Sequence, residues 1–188
     1  PCPSGIYDCL GVCGGFAIED ECGVCGGDGS SCSQIYDYEL TDINPSSPTY
    51  GIDISPGYFQ GQITLHYFGH QNWGLCGARG GNLDDLYRDL LAEGIYNVKI
   101  IAIGKSQYSA DNTDWTDGNS IPVLVDSTPY STWSTWEAEQ RDLFFLNSNG
   151  DYVTDFNITT WNYDNIYNTI LELLSSEDIS GCTDPNAE

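Results

Sequence analysis

The chain has no methionine, and in 188 residues only 5 are Lys or Arg against 28 Asp or Glu, a formal net charge of −23. So little positive charge excludes nucleic acid as a partner, because phosphates are neutralised by basic surfaces. It also disfavours anionic membranes. No stretch approaches the roughly 18 consecutive apolar residues of a membrane-spanning helix. No signal-peptide pattern is found. The start at Pro1 and the close in Gly181-Cys-Thr-Asp-Pro-Asn-Ala-Glu188 read as a processed or excised piece of a longer secreted protein. The acidic surplus suits a solvated surface or calcium held by carboxylate oxygens.

Cysteine is present but uneven. Cys2, Cys9, Cys13, Cys22, Cys25 and Cys32 crowd the first 32 residues, while Cys76 and Cys182 stand alone. Residues 1–33 repeat a short pattern, Asp8-Cys-Leu-Gly-Val-Cys-Gly-Gly15 and Glu21-Cys-Gly-Val-Cys-Gly-Gly-Asp28. They carry too few large apolar residues for a core, so cross-links must hold them. Four thiolates at Cys9-x3-Cys13 and Cys22-x2-Cys25 fit zinc as well. Disulfides are the preferred reading, since two further cysteines need partners and nothing suggests a reducing compartment. Glu19, Asp20 and Asp28 are candidate calcium ligands, without the ordered spacing of an EF-hand. This module resembles the cysteine-rich region of secreted thrombospondin-motif metalloproteinases and the repeats of large bacterial surface proteins. The resemblance implies an extracellular or cell-surface setting beside neighbouring domains, and no zinc-protease motif accompanies it.

Residues 34–57 read as an extended connector that packs along the next domain, because Tyr36, Tyr38, Leu40, Tyr50, Ile52 and Ile54 need burial. Residues 58–176 read as the main domain. A buried strand over Ile63 to Phe68 runs into a loop ending at Cys76. A helix is expected from an N-cap at Asn82, with Leu83, Leu86, Tyr87, Leu90 and Leu91 on one face and Gly94 as the stop. Val98 to Ile103 reads as a central parallel strand. Residues 104–120 read as a surface loop, with a turn of helix allowed. A strand over Ile121 to Asp126 and a short helix or loop over Ser131 to Glu139 come next. Then come a hairpin over Leu143 to Phe156 and a closing helix over Trp161 to Leu174. Residues 177–188 read as the start of a cysteine-bearing repeat. The fold class is α/β, a mixed sheet flanked by helices behind a small disulfide-rich module.

That element order resembles the thioredoxin-like superfamily, and most closely the N-terminal domain of selenoprotein P. The residues that carry the likeness are Trp73-Gly-Leu-Cys76, Leu83-Asp-Asp-Leu86, Glu93-Gly-Ile-Tyr-Asn-Val98, Ile121-Pro-Val123 and Asp142-Leu-Phe-Phe-Leu146. The resemblance implies a thiol redox domain acting on a thiol, disulfide or peroxide, with position 73 as the nucleophile site and Cys76 as its partner. Gln140-Arg-Asp-Leu-Phe-Phe-Leu146 is similar to the peroxiredoxin-like branch, which implies that Arg141 stabilises a thiolate or a peroxide oxygen. Two departures stand out. Position 73 holds Trp, which is neither thiolate nor selenolate, although the selenocysteine codon is translated as tryptophan by some readers. The cis-proline that thioredoxins place opposite the active loop is replaced by Arg141 or Asp142.

Several alternatives stay open on sequence alone. Cys76 is either a redox thiol, its thiolate favoured by a helix N-terminus and by Arg79 or Arg141, or an inert or disulfide-bonded one, with Cys182 as the available partner. His66 and His70 are candidate soft-metal ligands beside Cys76, or hydrogen-bonded loop histidines. Trp115, Trp133, Trp136 and Trp161 read as core rather than as a sugar-binding face. Asn157-Ile158-Thr159 fits the glycosylation sequon. Against the redox reading stands a redox-silent structural or adhesive module that uses its acidic residues for calcium.

Overall fold

The computed structural model describes residues 2, 7–18, 25–26 and 36–180. The main body opens with a short antiparallel pair, β1 (Leu40–Thr41) and β2 (Asp53–Ile54), followed by a 3-10 turn at Pro56–Phe59. Then come β3 (Ile63–Phe68), α1 (Gly74–Ala92), β4 (Val98–Lys105), a 3-10 turn at Ser106–Asp111, and α2 (Thr113–Thr116). The chain continues through β5 (Val123–Asp126), α3 (Ser131–Thr135), β6 (Asp142–Leu146), β7 (Tyr152–Asn157) and α4 (Tyr163–Ser180).

Five strands form one mixed sheet in the order β5-β4-β3-β6-β7. β3 runs parallel to β4 in the register Ile63↔Val98 to Phe68↔Ile103, and β4 runs parallel to β5. β6 returns antiparallel to β3, and β7 closes a hairpin at the edge. β3 lies at the centre and every one of its residues is buried, which is why it is a nearly unbroken apolar run.

Strand alternation sends successive β3 side chains to opposite faces. Leu65 and Tyr67 join Cys76, Leu83, Leu86 and Leu90 of α1 and Ile166 and Ile170 of α4 in one core. Phe68 lies in the other, with Tyr38, Ile54, Trp133, Trp136 and Phe144. Each fully buried Leu contributes about 1.5–3 kcal/mol of transfer free energy. The segment before the domain shares in this packing: Tyr38 and Ile54 are buried, whereas Tyr50 and Ile52 are exposed. Asp42, fully buried, accepts hydrogen bonds from the Val123 and Asn44 amides and from the Thr49 hydroxyl.

Several elements differ from the sequence expectation: β4 runs on to Lys105, and α4 spans Tyr163–Ser180 rather than Trp161 to Leu174. α1 begins at Gly74, not after Asn82. Gly77, Gly80 and Gly81 argue against helix by propensity, but tertiary contacts outweigh it. The Cys76 and Gly77 amides bond the Trp73 carbonyl, and Asn82 accepts from Arg79 instead of capping. Region 104–120 is not all surface, because α2 buries Trp115 against Tyr67 with ring centroids 5.7 Å apart. β5 begins at Val123 because Pro122 has no N–H to give; its carbonyl accepts the Ala102 amide. Trp115, Trp133 and Trp136 are core residues, as expected.

Candidate functional site

The C-terminal end of β3 leads into a narrow turn. Gly69 is required there: a Cβ would lie 2.9 Å from the Trp115 ring and 3.1 Å from the Tyr67 hydroxyl. His70 packs on Tyr108 and Trp133. Burial, then Lys105 and Arg141, lower its pKa. Gln71 is buried and fixes the neighbouring strand end, accepting from the Lys105 amide and donating to the Lys105 carbonyl and the Asn112 side chain.

Trp73 is the N-cap of α1 and is 55% exposed, while Cys76, in the third helical position, is fully buried and free of any disulfide. The helix N-terminus concentrates unpaired N–H groups and partial positive charge, so residue 73 stands at an exposed, electropositive edge and Cys76 just behind it. Two donors from the turn just before β6 reach the Cys76 sulfur. Gln140 Nε2 donates across 3.2 Å, and Arg141 Nη1 lies 4.0 Å away. The Tyr67 hydroxyl donates to the Cys76 carbonyl, and burial, then the Cys76 sulfur, push its own pKa up.

The Gln140–Arg141 corner is built by backbone strain that its neighbours hold in place. Arg141 has φ of 78°, a region that non-glycine residues occupy only when the surroundings enforce it. Its amide bonds the Phe68 carbonyl and its own carbonyl accepts the Ile158 amide. Asn157 donates to the Gln140 carbonyl and the Asp142 carboxylate. Thr159 accepts from Arg141 Nε through its hydroxyl and from Arg79 Nη2 through its carbonyl. Arg141 therefore occupies the place opposite the loop that leads into Cys76; the cis peptide among the described residues is Thr128–Pro129, before α3.

Sequence reasoning brought Trp73, Cys76 and Arg141 together, and the structure places all three at this end of the sheet. It gave no role at Cys76 to Gln140, Tyr67 or Thr159, although Gln140 opens the segment quoted for Arg141 and Thr159 closes the glycosylation sequon. The proposed grouping of His66 with Cys76 is corrected. His66 is fully buried with its Nδ1 on Tyr38 and its Nε2 on Thr64, packed against Trp136 on the opposite face of the sheet from Cys76. Burial lowers its pKa to about 3. Among the described residues no group of three or more His, Cys, Asp or Glu could hold a metal ion.

In the N-terminal module Cys2 is bonded to Cys13 and Cys9 to Cys25. Cys9, Cys13 and Cys25 are therefore not zinc thiolates. Cys22, Cys32, Cys182 and the candidate calcium ligands Glu19, Asp20 and Asp28 lie outside the described residues. No helix among the described residues is long and apolar enough to cross a membrane.

No family model matches the sequence, and no curated protein matches it. Solved structures do. The exposed lipoprotein thioredoxin of Streptococcus pneumoniae is 19% identical, with a TM-score of 0.57 over 73% of this chain and 99% of that one. A secreted Mycobacterium tuberculosis disulfide oxidoreductase homologous to Escherichia coli DsbE is 14% identical, with a TM-score of 0.55 over 74% and 98%. The thioredoxin domain of a thiol-disulfide oxidoreductase from Bacteroides vulgatus is 13% identical, with a TM-score of 0.55 over 72% and 91%. The fold is thioredoxin-like.

Proposed function

We propose that this domain is a thiol redox module, similar to the N-terminal domain of selenoprotein P, in an extracellular part of a larger secreted protein. Position 73 is its attacking site and Cys76 its resolving thiol. The observation that carries the reading is the convergence of Gln140 Nε2 and Arg141 Nη1 on the Cys76 sulfur, one helical turn behind residue 73.

In such a cycle a chalcogenolate at 73 attacks one sulfur of a substrate disulfide and the other sulfur leaves as a thiolate. Cys76 then attacks the mixed bond at residue 73, releases the second thiolate and closes a 73–76 bridge, which an external thiol reduces. The donors at Cys76 stabilise its thiolate through the second step. With Trp at 73 the first step has no attacker, and Cys76 carries what thiol chemistry remains, using an external thiol. Glu19, Asp20 and Asp28 belong to the proposal as oxygen donors for calcium in the N-terminal module.

A redox-silent scaffold is the second reading, favoured by the full burial of Cys76 behind an exposed tryptophan. Thiol-dependent reduction of a protein disulfide by the native chain and by Cys76→Ser separates the two. The redox reading expects slow turnover that Cys76→Ser abolishes; equal rates from both proteins favour the scaffold.

A further inference from the structure

The chain carries 28 carboxylates and 5 lysines and arginines, so chance alone would surround each cation with acids. Among the described residues the one ion pair is Arg88 with Asp84, on the far part of α1. The cations near Cys76 are held differently. Arg79 is bound by the Ile158 and Thr159 carbonyls and the Asn82 amide oxygen. Arg141 is bound by the Thr159 hydroxyl. Lys105, at the end of β4, lies 4.1 Å over the Trp133 ring and is instead balanced by its cross-strand neighbour Asp126, on which it acts electrostatically. Neutral acceptors fix the two arginines without cancelling their charge.

The two guanidinium groups share Thr159, and Arg141 reaches the Cys76 sulfur. Both act electrostatically on Tyr67, which contacts Cys76, while Arg141 and Lys105 both act on His70 in the loop before it. Arg79 and Arg141 thus make a positive focus beside Cys76 on a strongly acidic molecule, and among the described residues neither is in an ion pair. Such a local field steers ligands against the sign of the whole.

We infer that the Cys76 site takes anionic partners, namely disulfides or thiols with a carboxylate beside the sulfur. The inference rests on the redox function proposed for this site and names its substrate class. The Cys76 thiolate attacks one sulfur of the disulfide, the S–S bond breaks, and the other half leaves with the bonding pair. That half takes up from solvent the proton that Cys76 released. Arg141 and Arg79 hold the carboxylate while the bond exchanges.

The test uses two methanethiosulfonate probes of similar size, one ending in sulfonate and one in trimethylammonium. Their second-order rates at Cys76 are followed by mass mapping in the native protein, with free cysteine as reference. The expected anionic-to-cationic ratio exceeds that of the reference by roughly ten-fold and shrinks with added salt. Arg141→Gln and Arg79→Gln each lower it, Arg141→Lys restores part of it, and Lys99→Gln, which changes net charge equally but lies away from the site, leaves it unchanged. A ratio at or below the reference is what the net charge of −23 alone dictates, and it overturns the inference while leaving the redox reading standing. Reaction with neither probe until the protein is unfolded overturns both.

Discussion

The side-chain amide of Gln140 donates to the sulfur of Cys76 across 3.2 Å, although 64 residues separate them in sequence. The contact joins the first turn of α1 to the start of β6. It depends on the strained Arg141 backbone and on Asn157, which grips the Gln140 carbonyl. A buried sulfur with a directed donor is better prepared to hold negative charge than one in an apolar core.

Gln140→Leu removes that donor with little change of volume. One hydrogen bond contributes about 1 kcal/mol, so thiosulfonate modification of Cys76 is expected to slow roughly five-fold. Stopped-flow or quenched labelling measures it. An unchanged rate would mean that Gln140 does not act on the thiolate.

His66 makes stability depend on pH. Its folded pKa of about 3 lies below the ordinary 6.5, so between these values the unfolded chain binds the extra proton. The stabilisation is complete above the unfolded value and is lost as pH falls through 6.5 towards 3. Between pH 7 and 5 that loss is about 2 kcal/mol. Chemical denaturation at both pH values should show it in the native protein. His66→Gln keeps hydrogen-bonding atoms without titrating and should lack it; His70 is common to both proteins and cancels.

Gly104 in β4 lies against Gln71, and a Cβ there would be 2.4 Å from its carboxamide. Gly104→Ala must push a fully enclosed side chain off the Lys105 backbone that it bonds. Overpacking of this kind costs about 1–3 kcal/mol, and urea titration reads it. A neutral result would show that Gln71 has room to move.

Asp84 and Arg88 form an asymmetric pair. Asp84 is buried and also accepts from the Ser120 amide and hydroxyl and from the Ile121 amide, whereas Arg88 is half exposed. Asp84→Ala strands three donors and should cost about 3 kcal/mol or more. Arg88→Ala should cost less than about 1 kcal/mol. Equal costs would contradict the assignment of Asp84 as the anchor of the 120–121 turn.

The sheet was legible because its strands are coded by local pattern. Ile63 to Phe68 is bounded as read, Val98 starts where expected, and the 147–150 turn marks the hairpin. What was not legible depends on contacts between distant segments. The glycines at 77, 80 and 81 speak against helix, yet the Trp73 carbonyl accepts the Cys76 and Gly77 amides and Arg79 is anchored on Ile158 and Thr159. His66 was readable in principle: Leu65 and Tyr67 face the helix, so the residue between them faces away. Gln140 was not, because a positive φ at Arg141 leaves no trace in the residue type.

The most direct test of the central claim is the redox state and turnover of the Trp73→Cys protein. The account predicts a reversible bridge between position 73 and Cys76, disulfide reduction well above that of the native chain, and a trapped mixed disulfide when Cys76→Ser is added. Two thiols that never pair, with turnover no higher than native, would contradict it and leave the thioredoxin-like fold here as scaffold alone.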